Sequence, residues 1–313
     1  MITFAKIPIG TLYNSLPNKS NQDLDRSDNN IETQDQSAGE VLSDKSIDTV
    51  SISSAGQASS NSALVSSSTQ YYEQFMPTYD GFSAKNIASG VSEPGIESFS
   101  AGKNFEQVAI DARASLDKNY DRLEEIGKPY SVNSSKTIDR NSLIGELDRR
   151  ALYAVASNEG GLFTKNEQDV ALSKMRQQQS LAMGLYSGPT SEKDKFITTF
   201  GNFSQKFKLG IEFLDGVSKE EQAGSIEFAF QRASLQRSYE NSVRENGEIP
   251  EDFSTDNSLV RLLFDALKLA ETELESSQTF GNITDADDLL RQPWFEIYAE
   301  SLEKTRGQYL GDS

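Results

Sequence analysis

The stretch "AVASNEGGLFTKNEQ", residues 154–168, brings together side chains that could do chemistry at a turn. A helix-favouring run ends in Asn158-Glu159-Gly160-Gly161, and a second run opens at Thr164 and includes Glu167. Oxygen-bearing side chains beside a glycine turn suit two chemistries, coordination of a hard cation or proton transfer by one carboxylate. Other options are few. The chain has no cysteine and no histidine. Disulfides, thiolate nucleophiles, zinc sites with Cys or His ligands, haem ligation by His and every Ser-His-Asp triad are therefore excluded. Carboxylate, Ser/Thr, Tyr and Lys chemistry remain, with oxygen-ligand cations such as Ca²⁺ or Mg²⁺.

A calcium loop of EF-hand type takes oxygen ligands at positions 1, 3, 5 and 12 and glycine at position 6. With Gly161 in the glycine place, Asn158 falls at the second ligand place and Glu167 at the bidentate one. Ala156 and Gly160 occupy the other two places, so Asn158 and Glu167 are the metal candidates of a degenerate loop. Read as catalysis, "LYAVASNEGGLF" followed by "LAMGLYSGP" (181–189) resembles the lytic transglycosylases. In that family an apolar helix delivers a glutamate to the edge of a glycan cleft, and a Gly-Leu-Met-Gln run follows. The resemblance implies a glycan-cleaving enzyme with Glu159 as acid and base, a reaction that needs no histidine. Gly160 stands where that family has serine, and Tyr186-Ser187 where it has Met-Gln.

Two weaker signals involve serine and magnesium. Ser100-x-x-Lys103 and Ser115-x-x-Lys118 match the serine–lysine spacing of penicillin-binding proteins, without the Lys-Thr-Gly that should follow. Asp285, Asp287 and Asp288 suit Mg²⁺, but a first helical turn favours carboxylates through the helix dipole alone. The opening stretch also has a purely structural reading. Glycine supplies positive φ without steric cost, and Thr164 caps the next helix, so each residue has a task in a corner between helices. That reading is preferred, and no cofactor is expected.

The elements that would hold this corner are helical. "NFEQVAIDARASLDKNYDRLEEIGKP" sets Phe105, Val108, Ala109, Ala112, Leu116, Tyr120 and Leu123 on one stripe, with Gly127 in the C′ place and Pro129 beyond. A second helix is expected near 140–157. A third starts with the capping box Thr164-Lys-Asn-Glu167, and Ser218-Lys-Glu-Glu221 repeats the device before a helix running to about Asn246. "TSEKDKFITTFGNFSQKFKLGIEFL" predicts one broken helix or two short ones. The stripe Leu259, Leu262, Leu263, Ala266, Leu267, Ala270 and Leu274 predicts a helix over 256–277, and a last one starts at Thr284. No segment alternates with period two. The fold class expected is all-α, an irregular domain of seven or eight helices over 104–313.

Ahead of it the composition changes. Residues 18–70 are rich in Ser, Asn, Asp and Gln and have no apolar period, which predicts a disordered arm. Residues 71–103 carry aromatics but also Pro77, Pro94 and several glycines, which predicts a partly ordered linker. The arm dilutes the whole chain, whose hydrophobic share is 36% and whose mean hydropathy is −0.55. Net charge is −18 over 313 residues with Lys and Arg scattered, which argues against nucleic acid and anionic membranes as partners.

The start, "MITFAKIPIGTLYNSLP", lacks a basic n-region and is broken by Pro8 and Gly10, so it does not read as a signal peptide. No membrane insertion is expected, and the location expected is cytoplasmic, or outside by a route without a cleaved signal. Ile2, Phe4, Ile7, Ile9 and Leu12 form an apolar patch on a long polar tether, as a docking segment would. The function expected is therefore a non-enzymatic interaction protein, an adaptor, regulator or exported factor, that binds a protein partner or itself.

Overall fold

The computed structural model describes residues 68–131, 137–198, 201–275 and 291. Every regular element among them is helical, as the periodicity predicts. In chain order the α-helices are α1 (Lys85–Ser92), α2 (Phe105–Glu125), α3 (Thr137–Ile144), α4 (Arg149–Ala156), α5 (Lys165–Ala182), α6 (Phe203–Asp215), α7 (Lys219–Ala223), α8 (Ile226–Glu245) and α9 (Ser258–Glu275). Two 3-10 turns lie at Glu159–Gly161 and Thr190–Lys195, and residues 68–73 are also helical. Residues 1–67 and the expected helix from Thr284 lie outside the described residues.

The helix ends follow local chemistry. Asn104 caps α2 through a side-chain oxygen that accepts the Gln107 N–H, and Gly127 follows the last turn at φ +68°. Thr164 and Glu167 form the reciprocal capping box at α5. The second expected box is only half made. Ser218 caps α7 through the Glu221 N–H, but the Glu221 carboxylate turns to Arg149, and Ser225 caps a separate helix, α8. The expected single helix near 140–157 is likewise two. Gly145 ends the first at a point where a Cβ would collide with the Ser83 carbonyl, and Asp148 caps the second.

Two apolar clusters result. The first gathers Phe75, Met76 and Ile87 with Val108, Leu116, Leu152 and Leu181. The segment expected to be a linker is thus part of the core. Phe75 and Ile87 are wholly buried, because the chain from 71 to 92 fills the face of α5 that α4 leaves open. The second cluster packs α8 between α6 and α9, with Ile211, Leu214, Ala233, Leu235, Val260 and Leu263 inside. Ala182, at the end of α5, touches both.

Candidate functional site

The corner after α4 is built from residues in left-handed backbone. Asn158 has φ +59°, the one non-glycine residue with positive φ among the described residues, and Gly160 and Gly161 follow at +65° and +70°. A short polar side chain tolerates this conformation by bonding locally. Asn158 Oδ1 accepts the Phe163 N–H at 2.9 Å, which turns the chain into α5. Glu159 stands half-exposed on this corner and lines neither of the two clefts described below.

Glu167 is 2% exposed and its carboxylate is surrounded by donors of the chain itself. Oε1 accepts from Arg113 Nη1 at 2.9 Å and from the Tyr120 hydroxyl at 3.0 Å. Oε2 accepts from the Thr164 N–H at 2.7 Å and the Thr164 hydroxyl at 2.9 Å. Burial works to raise this carboxyl, but the Thr164 N–H and the Arg113 guanidinium outweigh it and hold it below the ordinary value. The two calcium-ligand candidates, Asn158 and Glu167, are both engaged in forming the corner. Among the described residues no three His, Cys, Asp or Glu side chains gather closely enough to hold a metal ion.

The serine–lysine pairs are separated in the same way. Ser100 Oγ donates to Asp148 Oδ2 at 2.8 Å, while Lys103 reaches the Phe99 carbonyl and Asp111. Ser115 is buried and Lys118 exposed. Ile2, Phe4, Ile7, Ile9 and Leu12, like Asp285, Asp287 and Asp288, lie outside the described residues.

Other charged groups, with no motif to mark them, are more deeply set. Asp148 is wholly buried: Oδ1 caps Ala151, while Oδ2 accepts from Phe99 N, Ser100 N and Ser100 Oγ, each at 2.8 Å. Arg149 forms a bidentate pair with Glu221 at 3.0 and 2.6 Å, and its remaining nitrogen donates to the Met175 carbonyl and to Gln178 Oε1. Arg150 pairs with Glu220 at 2.7 Å, so α4 is tied to α7 by two ion pairs in succession. The guanidinium of Arg150, over the cost of its own partial burial, holds the Glu220 carboxyl below its ordinary value. In the second half Arg232, 1% exposed, pairs with Asp215 at 2.7 and 2.8 Å and donates to the Phe253 carbonyl at 3.0 Å.

Three consecutive glutamines on α5 continue this polar interior. Gln177 Nε2 donates to the carbonyls of Phe75 and Ser187, Gln178 Nε2 to that of Ile87, and Gln179 Oε1 accepts from Gln231. Gly90 leaves the space that the Gln178 amide occupies. Beside them Lys174 is 4% exposed and donates to Gln177 Oε1 at 2.8 Å. Burial, with Arg140 nearby, pushes its ammonium down to about 7.

Among the described residues, two of the clefts open where the two apolar clusters meet. One lies between α5 and the start of α8. The other, of about 310 Å³, is walled by Tyr72, Val91, Pro94, Ala182, Leu209 and Phe213. Large apolar side chains also stand in solvent, with Ile197 69%, Phe203 53% and Ile249 94% exposed. No helix among the described residues is long and apolar enough to cross a membrane. No family model, curated protein or solved structure matches this chain.

Proposed function

We propose that the chain is a non-enzymatic interaction protein that binds a protein partner, or a second copy of itself, through its helical part and its N-terminal apolar segment. The observation that supports this reading is the exposed aromatic end of α6. Phe203 opens that helix, stands edge-on to Phe207 with ring centroids 5.4 Å apart, and carries the Lys206 ammonium 3.3 Å from its own centroid. An aromatic ring joined to the core on one side and open on the other is the kind of anchor that interfaces bury. Many of the charged groups that residue type would make candidates for chemistry are meanwhile engaged with the chain's own donors and acceptors. The glycan-cleaving alternative needs Glu159 at the floor of a cleft, and Glu159 is on a corner. The part given to Ile2, Phe4, Ile7, Ile9 and Leu12 rests on sequence.

A photo-crosslinking residue placed at 203, at 4, and at the exposed control Lys118 tests the reading in the native host. Discrete adducts to one protein, or to a second copy, are expected at 203 and 4. Adduct yields no higher there than at 118 would refute it.

A further inference from the structure

The cleft between α5 and the start of α8 holds two opposite charges that do not meet. Arg176 projects from α5, and Glu227 stands in the first turn of α8. Both are half-buried, and neither makes a hydrogen bond or ion pair among the described residues. One terminal nitrogen of Arg176 is buried without a hydrogen-bond partner among the described residues. Burial lowers this guanidinium's proton affinity, and the carboxylate of Asp169 opposes that only in part. The other charged pair at the cleft, Arg149 with Glu221, is bidentate and neutralises itself. The cleft therefore presents one free positive and one free negative group.

Part of the remaining wall is apolar. Leu172, Met175 and Phe228 line it, the latter two only 6% and 8% exposed, and the Gln231–Gln179 hydrogen bond lies beside them. The volume is about 110 Å³. At about 30 Å³ for each water of the liquid that is room for about four waters, so a larger molecule lies partly in the open mouth of the cleft. A simple anion would satisfy Arg176 and be repelled by Glu227, while a simple cation would meet the reverse. A dication or dianion fares worse. A molecule with a carboxylate, an ammonium and an apolar group answers all three surfaces.

We propose that this cleft binds a free α-amino acid with an apolar side chain, its carboxylate on Arg176, its ammonium on Glu227 and its side chain against Leu172, Met175 and Phe228. The site lies apart from the docking surface proposed above and does not depend on it. Ligand binding here would draw α5 and α8 together, one helix from each apolar cluster.

Calorimetric titration of the full chain with L-leucine tests the proposal, with 4-methylpentanoate as the carboxylate half and 3-methylbutylamine as the amine half. Leucine is expected to bind with Kd below about 1 mM, and each half at least about tenfold more weakly. Arg176→Gln and Glu227→Gln should each weaken leucine by about tenfold or more. Neither side chain makes a hydrogen bond among the described residues, so both variants are expected to keep the fold, which far-ultraviolet circular dichroism checks. Arg176→Gln should leave the amine half unaffected, and Glu227→Gln the carboxylate half. The proposal is overturned if leucine gives no saturation up to about 10 mM. Equal affinity for leucine and both halves, or leucine binding retained in both variants, overturns it equally.

Discussion

Replacing Lys174 by methionine should make the protein more stable at pH 6 and less stable near pH 10.5. The lysine is 4% exposed, and its ammonium has one hydrogen bond, to Gln177. Its pKa falls from 10.5 to about 7 on folding. Between those values the unfolded chain holds the proton and the folded chain does not, so stability rises with pH across this window. The cost of the buried charge is present in full below pH 7 and is gone near pH 10.5. A fall of that size corresponds to about 5 kcal/mol. Methionine fills much the same space without charge, but it leaves Gln177 Oε1 buried without its donor, at about 1–3 kcal/mol. The net expectation is a gain of about 2–4 kcal/mol at pH 6 and a loss of about 1–3 kcal/mol at pH 10.5. Urea unfolding of wild type and variant at pH 6, 8 and 10.5 reads the difference, and other titrations cancel between the two proteins. A difference that does not change with pH would refute the reasoning, as would a destabilised variant at pH 6.

Glu221→Gln should cost about 3–5 kcal/mol in denaturant unfolding, because it strands the Arg149 guanidinium in a buried site. A loss below about 1 kcal/mol would mean that water reaches the pair. Asp148→Asn should destabilise nearly as much as Asp148→Ala in thermal unfolding, since an amide cannot accept from Ala151, Phe99 and Ser100 together; a near-native midpoint for asparagine would contradict this. Leu263→Ala, at a wholly buried position, should cost about 2–5 kcal/mol. Glu159→Gln, on the half-exposed corner, should change stability by less than about 0.5 kcal/mol by the same measurement.

The parts of this structure legible in the sequence are those set by neighbours in the chain. The stripe and caps of α2, the Thr164–Glu167 box and the part of the α9 stripe from Leu259 to Leu267 each lie within a few turns, and each appears as expected. What the sequence conceals is pairing over distance. Asp148 breaks the expected helix near 140–157 because its second oxygen gathers Phe99 and Ser100 from 49 and 48 residues away. Glu221 leaves its capping box for an arginine 72 residues distant. Residues 71–103 look like a linker because Pro77, Pro94 and several glycines interrupt them, while the partners that order their first part lie on α5. One signal was available. On α5 the apolar face runs through Ala171, Met175 and Leu181, and Lys174 and Gln178 share that face three and four residues apart. Polar residues on an apolar stripe mark buried hydrogen bonding. For Arg176 and Glu227 no spacing gave notice, since they come from helices that meet only in the folded chain.

The glutamines of α5 also bear on the order in which the protein can form. Gln177 and Gln178 hold the carbonyls of Phe75 and Ile87 across 102 and 91 residues of chain. A polypeptide leaving the ribosome at about 5–20 residues per second exposes Phe75, Met76 and Ile87 for roughly 5–20 s before their anchors are made. The second cluster has no such delay, because α6, α8 and α9 follow one another in sequence and pack on near neighbours. During synthesis the early part of the chain must therefore wait, with its largest apolar side chains uncovered, for a helix that is translated last in its own half. That interval, rather than the finished fold, is where the protein is most open to aggregation or to capture by a chaperone.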